Sequence, residues 1–287
     1  MIENEKKGNT LESQFYQREG FEIEGKKLEV LDVQPDFYKT DVPAILAAGW
    51  GLKPDDYKEN ILGLAKLGRR VLSFDAPHGI DSGVLEERPE DLPDAELRKT
   101  AALIKTLELK NLSRVDGVGH SEAGIYLVLA AILYPEKFRN LVLFNPSGTI
   151  GKDNLFRLTK SFSKDLLRQT IEGIIKGRPA NLRAYWNTVK YMVSNPVRSA
   201  KETLALSNTQ VLDELEELKN LGIGVSIVHS TEDAVLPIEK AMENVSKDHV
   251  TGYYSIKGHH DDVFLDPEIR TKLADQALDS LEKRKGK

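Results

Sequence analysis

Between residues 42 and 144, short apolar runs alternate with stretches whose apolar side chains recur at helical spacing. Residues 42–48, 70–74, 114–118 and 141–144 read as buried strands. Tyr57, Ile61, Leu64 and Leu67 mark a helix over 55–67, which Gly68 stops. Leu97, Ala101, Ile104 and Leu107 mark another over 94–107, and 122–134 is a third, ended by Pro135. Ahead of this block, 15–23 and 27–33 have strand character with Glu24-Gly25 between them, which predicts an antiparallel hairpin. Residues 1–13 read as a frayed tail. The same rhythm returns late, with strands over 224–229 and 252–256 and helices over 238–245 and 266–283.

Strand, helix, strand, helix at this spacing predicts an α/β fold with a mostly parallel central sheet covered by helices on both faces. Residues 150–208 interrupt it. They carry helical patterns and no convincing strand, and Pro179 and Pro196 divide them. A simple crossover needs far fewer residues. The expected organisation is therefore a core made of 1–149 and 209–287, with 150–208 as a helical cap inserted into it.

Composition narrows the function. The chain has 287 residues, 40% hydrophobic and 30% charged, with a net charge of −5. That balance suits a globular protein and is poor for binding nucleic acid, of which no module is present. There is no cysteine, hence no disulfide, thiolate metal site or cysteine nucleophile. The polar start lacks a signal-peptide core, and no apolar run is long enough to span a bilayer, so a cytoplasmic protein is expected. Nothing in the sequence speaks to oligomeric state. Charge is unevenly spread: 151–208 hold eleven Lys and Arg against four Asp and Glu, a net of +7, which leaves −12 for the rest. A basic cap could steer a carboxylate substrate or meet an anionic membrane surface, or it could simply complement the acidic body.

The candidate chemistry centres on Gly119-His120-Ser121-Glu122-Ala123-Gly124, which lies between a predicted strand and a predicted helix. Strand, tight turn and helix is the context of a nucleophile elbow. Small residues two positions either side of the serine relieve a strained backbone. A serine hydroxyl needs a base, and the base needs an orienting carboxylate. Asp233 follows one later strand, with Glu232 as the neighbour to exclude. His259 and His260 follow the next, and either could be the base. The run His259-His260-Asp261-Asp262 is a poor metal cluster, because contiguous ligands converge badly on one ion. No metal is expected, and no phosphate-binding glycine loop is present.

With these residues the chain resembles the α/β-hydrolase superfamily from about Phe15 to the last helix. Ala48-Gly49-Trp50-Gly51 stands where the family usually has His-Gly and an oxyanion residue. Asp75-Ala76-Pro77-His78-Gly79 resembles its next conserved turn, and Asp233-Ala234-Val235-Leu236-Pro237 its acid loop. The family's histidine commonly precedes a Pro-Glu pair by seven residues. Pro267-Glu268 therefore favours His260, although the glycine that usually precedes that histidine here precedes His259. Some members place the acid where this chain has Asn145, which cannot serve, and that strengthens Asp233.

The resemblance implies a serine hydrolase without a cofactor. Ser121, His260 and Asp233 would form the triad, and the backbone N–H groups of Trp50 and Glu122 the oxyanion hole. The substrate would be a small-molecule carboxylic ester or related acyl compound. Carbon–carbon bond hydrolysis, acyl transfer or perhydrolysis with the same triad, and a weakly catalytic ligand sensor are the alternatives. The Glu122 side chain is expected to point away from the site. His78 is expected to be structural, His120 to point into the fold, His229 to bond nearby loops and His249 to lie at the surface.

Overall fold

The computed structural model describes residues 16–86, 88–89, 92–151, 155–175 and 179–285. The expected tail at 1–13 and the first residue of the expected hairpin lie outside them. The hairpin itself is present: β1 (Tyr16–Ile23) pairs antiparallel with β2 (Lys26–Val33), from Tyr16↔Val33 to Ile23↔Lys26.

Then follow β3 (Ala44–Ala47), α1 (Lys58–Lys66), β4 (Val71–Asp75), α2 (Asp94–Leu109), β5 (Val115–His120), α3 (Ala123–Leu133) and β6 (Phe138–Phe144). The inserted stretch forms α4 (Leu155–Ile175), α5 (Pro179–Ser194) and α6 (Pro196–Asn208). The chain ends with α7 (Leu212–Asn220), β7 (Gly224–Ser230), α8 (Ile238–Asn244), β8 (Gly252–Ile256), the short α9 (Asp262–Leu265) and α10 (Pro267–Lys285).

The strands form one eight-stranded sheet in the order β1-β2-β4-β3-β5-β6-β7-β8. β1/β2 and β2/β4 pair antiparallel, and every later pair is parallel. Alternation along the strands divides the core. Ile45, Ala47 and Leu72 face a layer that includes Leu97, Leu103, Leu127 and Leu215 of α2, α3 and α7. Leu46, Val71 and Val118 face the opposite layer, with Ile61 and Leu64 of α1 and Leu278 and Leu281 of α10. Each face buries its own apolar set, as a doubly covered parallel sheet requires.

Several boundaries differ from expectation. β6 begins at Phe138 rather than 141, because the buried Phe138 pairs with Val115 across a register shift. The helix expected from 55 is a tight 3₁₀ turn, Pro54–Tyr57, before α1 begins at Lys58. The last helix, expected over 266–283, is α10, which Pro267 starts; the short α9 before it, Asp262–Leu265, is an addition to the expected elements. The helix α7 is an addition to the expected elements, and its Leu212, Leu215 and Leu218 repeat at helical spacing. Pro179 and Pro196 both sit at helix starts. Among the described residues no helix is long and apolar enough to cross a membrane.

Candidate functional site

Parallel strands open their carboxyl-end loops on one side of the sheet. β3 neighbours β5, so Trp50 after β3 lies beside the Ser121 turn after β5. β7 neighbours β8, so the Asp233 loop lies beside the His259-His260 loop, with Asn145 after β6 between the two pairs.

Ser121 has a φ of 56°, a left-handed conformation that a side-chain-bearing residue adopts only when its surroundings hold it. Its N–H donates to the Phe144 carbonyl at 3.0 Å, and its own carbonyl accepts from the Ser147 N–H at 3.0 Å. A Cβ at Gly119 would collide with Leu127 of α3, and one at Gly124 would lie 2.5 Å from Pro146. The glycine after the serine therefore admits the loop that follows β6.

Ser121 Oγ is 2.9 Å from His260 Nε2, and His260 Nδ1 is 2.7 Å from Asp233 Oδ2. The other carboxylate oxygen of Asp233 accepts the N–H groups of Val235 and Leu236, both at 2.8 Å. Asp233 is thus held in one orientation, and Glu232 is excluded because its carboxylate instead faces His259 at 3.3 Å. His259 also contacts the Glu232 carbonyl at 3.1 Å and remains a third exposed. Only His260 of the pair reaches the serine.

His260 is buried. Burial alone would depress its basicity, but the adjacent Asp233 carboxylate, with Asp261 and Asp165 beyond it, raises the pKa to about 9. Asp261 is itself raised to about 7, chiefly by burial, against the opposing pull of His260. Gln169 of α4 bridges Asp165 and Asp261 by hydrogen bonds to both carboxylates.

The His260 main chain is also gripped. Asn145 Nδ2 donates to its carbonyl at 2.7 Å, and Asn145 Oδ1 accepts from the Ser230 N–H at 2.7 Å. His120 Nε2 donates to the same carbonyl at 3.0 Å, while its Nδ1 accepts from Tyr57 Oη at 2.7 Å. Burial and the neighbouring His260 hold His120 well below the usual histidine range, which fits that neutral tautomer. His120, His260 and Asp261 come within 4.8 Å of one another. All four ring nitrogens already carry protein hydrogen bonds, so this group does not fit a metal ion. His229 joins the Leu236 carbonyl and Tyr253 Oη, and His249 closes a turn onto the Ser246 N–H.

Among the described residues, no acceptor takes the backbone N–H of Trp50 or of Glu122. The Trp50 indole Nε1 donates to Glu202 of α6 at 3.0 Å. Glu202 also accepts from Tyr191 Oη at 2.6 Å and meets His78 Nδ1 at 2.8 Å. One buried carboxylate from the inserted helices therefore fixes the loop after β3. His78, with a φ of 63°, belongs to that support. The Glu122 carboxylate turns away from Ser121 and pairs with Lys99 of α2, beside a cavity shared with Tyr126 and Tyr191.

Around Ser121 lies a narrow crevice lined mainly by Trp50, Leu52, Phe162, Leu166 and Thr188, with Gln169 and Asp261 among its polar walls. The described arginines of the insert are engaged elsewhere. Arg157 donates to the carbonyls of Ala234 and Val235, Arg168 pairs with Asp165 and Glu172, Arg183 with Asp56, and Arg198 with Glu202. No Lys or Arg is among the described residues lining the crevice. Of these pairings, Arg183 with Asp56 joins the insert to a carboxylate of the body, and none puts a cation at the serine.

Solved structures with this arrangement of strands include a serine hydrolase from Cycloclasticus zankles, at 16% identity and a TM-score of 0.66, covering 93% of this chain and 99% of that one. An enol-lactonase from Burkholderia xenovorans matches at 14% identity and a TM-score of 0.65, covering 90% and 99%. The chain has the α/β-hydrolase fold. By sequence it is similar to a Mycobacterium phage D29 protein named as a candidate non-heme haloperoxidase, 24% identical over 254 residues, covering 83% of this chain and 88% of the relative. No protein-family model matches the chain. Within this fold, the elbow after β5, the acid after β7 and the histidine after β8 follow the chain order serine, acid, histidine.

Proposed function

We propose that this protein is a serine hydrolase that cleaves a carboxylic ester, or a related acyl bond, of a small molecule through an acyl-enzyme. The observation that carries the reading is the unbroken relay from Ser121 Oγ to His260 Nε2 at 2.9 Å and from His260 Nδ1 to Asp233 Oδ2 at 2.7 Å. His260 takes the serine proton as Oγ attacks the carbonyl carbon. Asp233 orients the ring and stabilises the imidazolium. The N–H groups of Trp50 and Glu122 hold the developing oxyanion, each such donor being worth roughly 10²–10³ in rate. His260 then returns the proton to the leaving group, and water activated in the same way releases the acid.

Residues 150–208 act as the cap, whose helices α4 and α5 supply Phe162, Leu166 and Thr188 to the acyl crevice. Its side chains Trp50, Leu52, Phe162 and Leu166 favour an uncharged acyl group. The lack of a lysine or arginine there argues against a dienoic acid and hence against carbon–carbon bond hydrolysis. Names among similar proteins, haloperoxidase and bromoperoxidase, keep peroxide as a rival acceptor for the same acyl-enzyme.

A panel of esters, thioesters and amides of graded chain length, run with water and with peroxide as acceptor, tests this reading. Turnover of esters that disappears in Ser121→Ala supports it. Activity retained in Ser121→Ala would overturn it, and activity lost in His259→Ala but kept in His260→Ala would overturn the choice of base.

A further inference from the structure

The inserted helices are apolar on two sides. In α4, Phe162, Leu166 and Gln169 line the Ser121 crevice. At about 100° per residue, Leu167, Ile171 and Ile174 fall on the opposite side, where they are 60%, 48% and 65% exposed. Lys160 and Lys164 share that side and are exposed. In α5, Ala184 and Thr188 face the crevice, and Trp186, Lys190 and Val193 face away and are exposed. In α6, Glu202 points inward to Trp50, Leu204 is exposed on the other side, and the exposed Val197 and Lys201 lie at the flank over a groove shared with Asp94 and Arg98 of α2.

Helices α4 and α5 thus repeat one outer pattern, apolar residues with lysine between them. The carboxylates described on these helices lie elsewhere: Asp165 and Glu202 are buried, and Glu172 pairs with Arg168. Exposed apolar surface concentrated this way marks an interaction site. A second copy of the chain is a poor occupant, because a symmetric pairing would press lysines against lysines. Apolar side chains that can enter the headgroup region, flanked by lysines that meet lipid phosphates, match an anionic bilayer surface.

We propose that the outer faces of α4, α5 and α6 form a docking surface for an anionic phospholipid membrane. This does not depend on the chemistry at Ser121.

Trp186 and Trp50 are the two tryptophans of the chain, and Trp186 is the exposed one. The test uses the full chain with vesicles of phosphatidylcholine alone or mixed equally with phosphatidylglycerol, read by co-sedimentation and tryptophan fluorescence. The expected result is binding to the mixed vesicles, weakened by high salt, with a blue shift that is lost in Trp186→Phe. At roughly a fivefold loss per lysine removed, K160Q/K164Q weakens binding about 25-fold. L167S/I171S also weakens it, and neither pair changes the thermal melt, because all four side chains are exposed. Equal binding to both vesicle types, no binding to either, or no effect of the two variant pairs would overturn the proposal. So would sedimentation equilibrium in which L167S/I171S dissolves a dimer of the wild type, which would identify a second copy as the occupant.

Discussion

At the scale of single residues, the site depends on how firmly His260 is held and how strongly its proton is retained. His260→Ala is expected to lower kcat/KM by about 10³-fold or more. His259→Ala, whose ring contacts Glu232 at the edge, should remain within a few-fold of wild type. Steady-state kinetics on one responsive ester separates them. Because the neutral imidazole is the base and its pKa is raised to about 9, kcat/KM should rise with pH and level off above about 9. Asp261→Asn removes one of the carboxylates that hold the proton, so the midpoint of that limb should move to lower pH. A midpoint that stays in place or rises would contradict the assignment. The same raised pKa has the opposite sign for stability: protonated His260 stabilises the fold at low pH, and that contribution is lost as pH climbs through about 9.

Ser121, Asp233 and the two histidines were legible in the sequence because each has a local signature beside a strand. Their supports were not. Asn145 contacts the His260 carbonyl across 115 positions, and Trp50 contacts Glu202 across 152. No local pattern encodes such pairs. Asn145 was visible only as an acid position lacking its acid, yet its amide ties β6, β7 and the His260 loop together. Glu202 was one acid in a basic segment. Its pairing with Trp50 predicts that Glu202→Gln loosens the candidate oxyanion loop. The expected effect is about a tenfold fall in kcat with KM little changed, measured on the same ester. A change in KM alone would assign Glu202 to substrate binding instead.

Among elements, the strand-helix rhythm was readable because buried parallel strands and amphipathic helices each carry their own periodicity. Reading failed where a tertiary contact overrode the local pattern. Phe138 joins β6 because it is buried against the core, while the charged Arg139 beside it hides the strand; its guanidinium is drawn to the buried Asp116 at 2.6 Å. The junction of β5 with α3 has its own test. Gly119→Ala places a methyl group against Leu127, and the overpacking should cost about 1–3 kcal/mol in urea unfolding. It should also lower activity, because relief of the clash moves the Ser121 turn.

For the whole molecule, one buried cation ties the sheet to the last helix. Arg69, fully buried just before β4, meets Asp275 at 2.6 Å, Asp279 at 2.5 Å and Asp116 at 3.6 Å. Arg69→Met leaves Asp275 and Asp279 to Lys39 and Asp116 to Arg139, so the loss read from the urea midpoint should fall below the about 3–5 kcal/mol of a buried charge left unpaired. Charge is organised at this scale as well. The basic insert meets the acidic body through Arg183 with Asp56, and Arg198 donates to the His78 carbonyl. The lysines left over point outward.

The central claim is that Ser121 is a nucleophile activated by His260. Labelling of the folded protein with a fluorophosphonate, followed by peptide mass mapping, tests it most directly. The account predicts a single adduct on the peptide that contains Ser121, absent in Ser121→Ala and strongly slowed in His260→Ala. No adduct on the folded wild-type protein, or an adduct on a different residue, would contradict it.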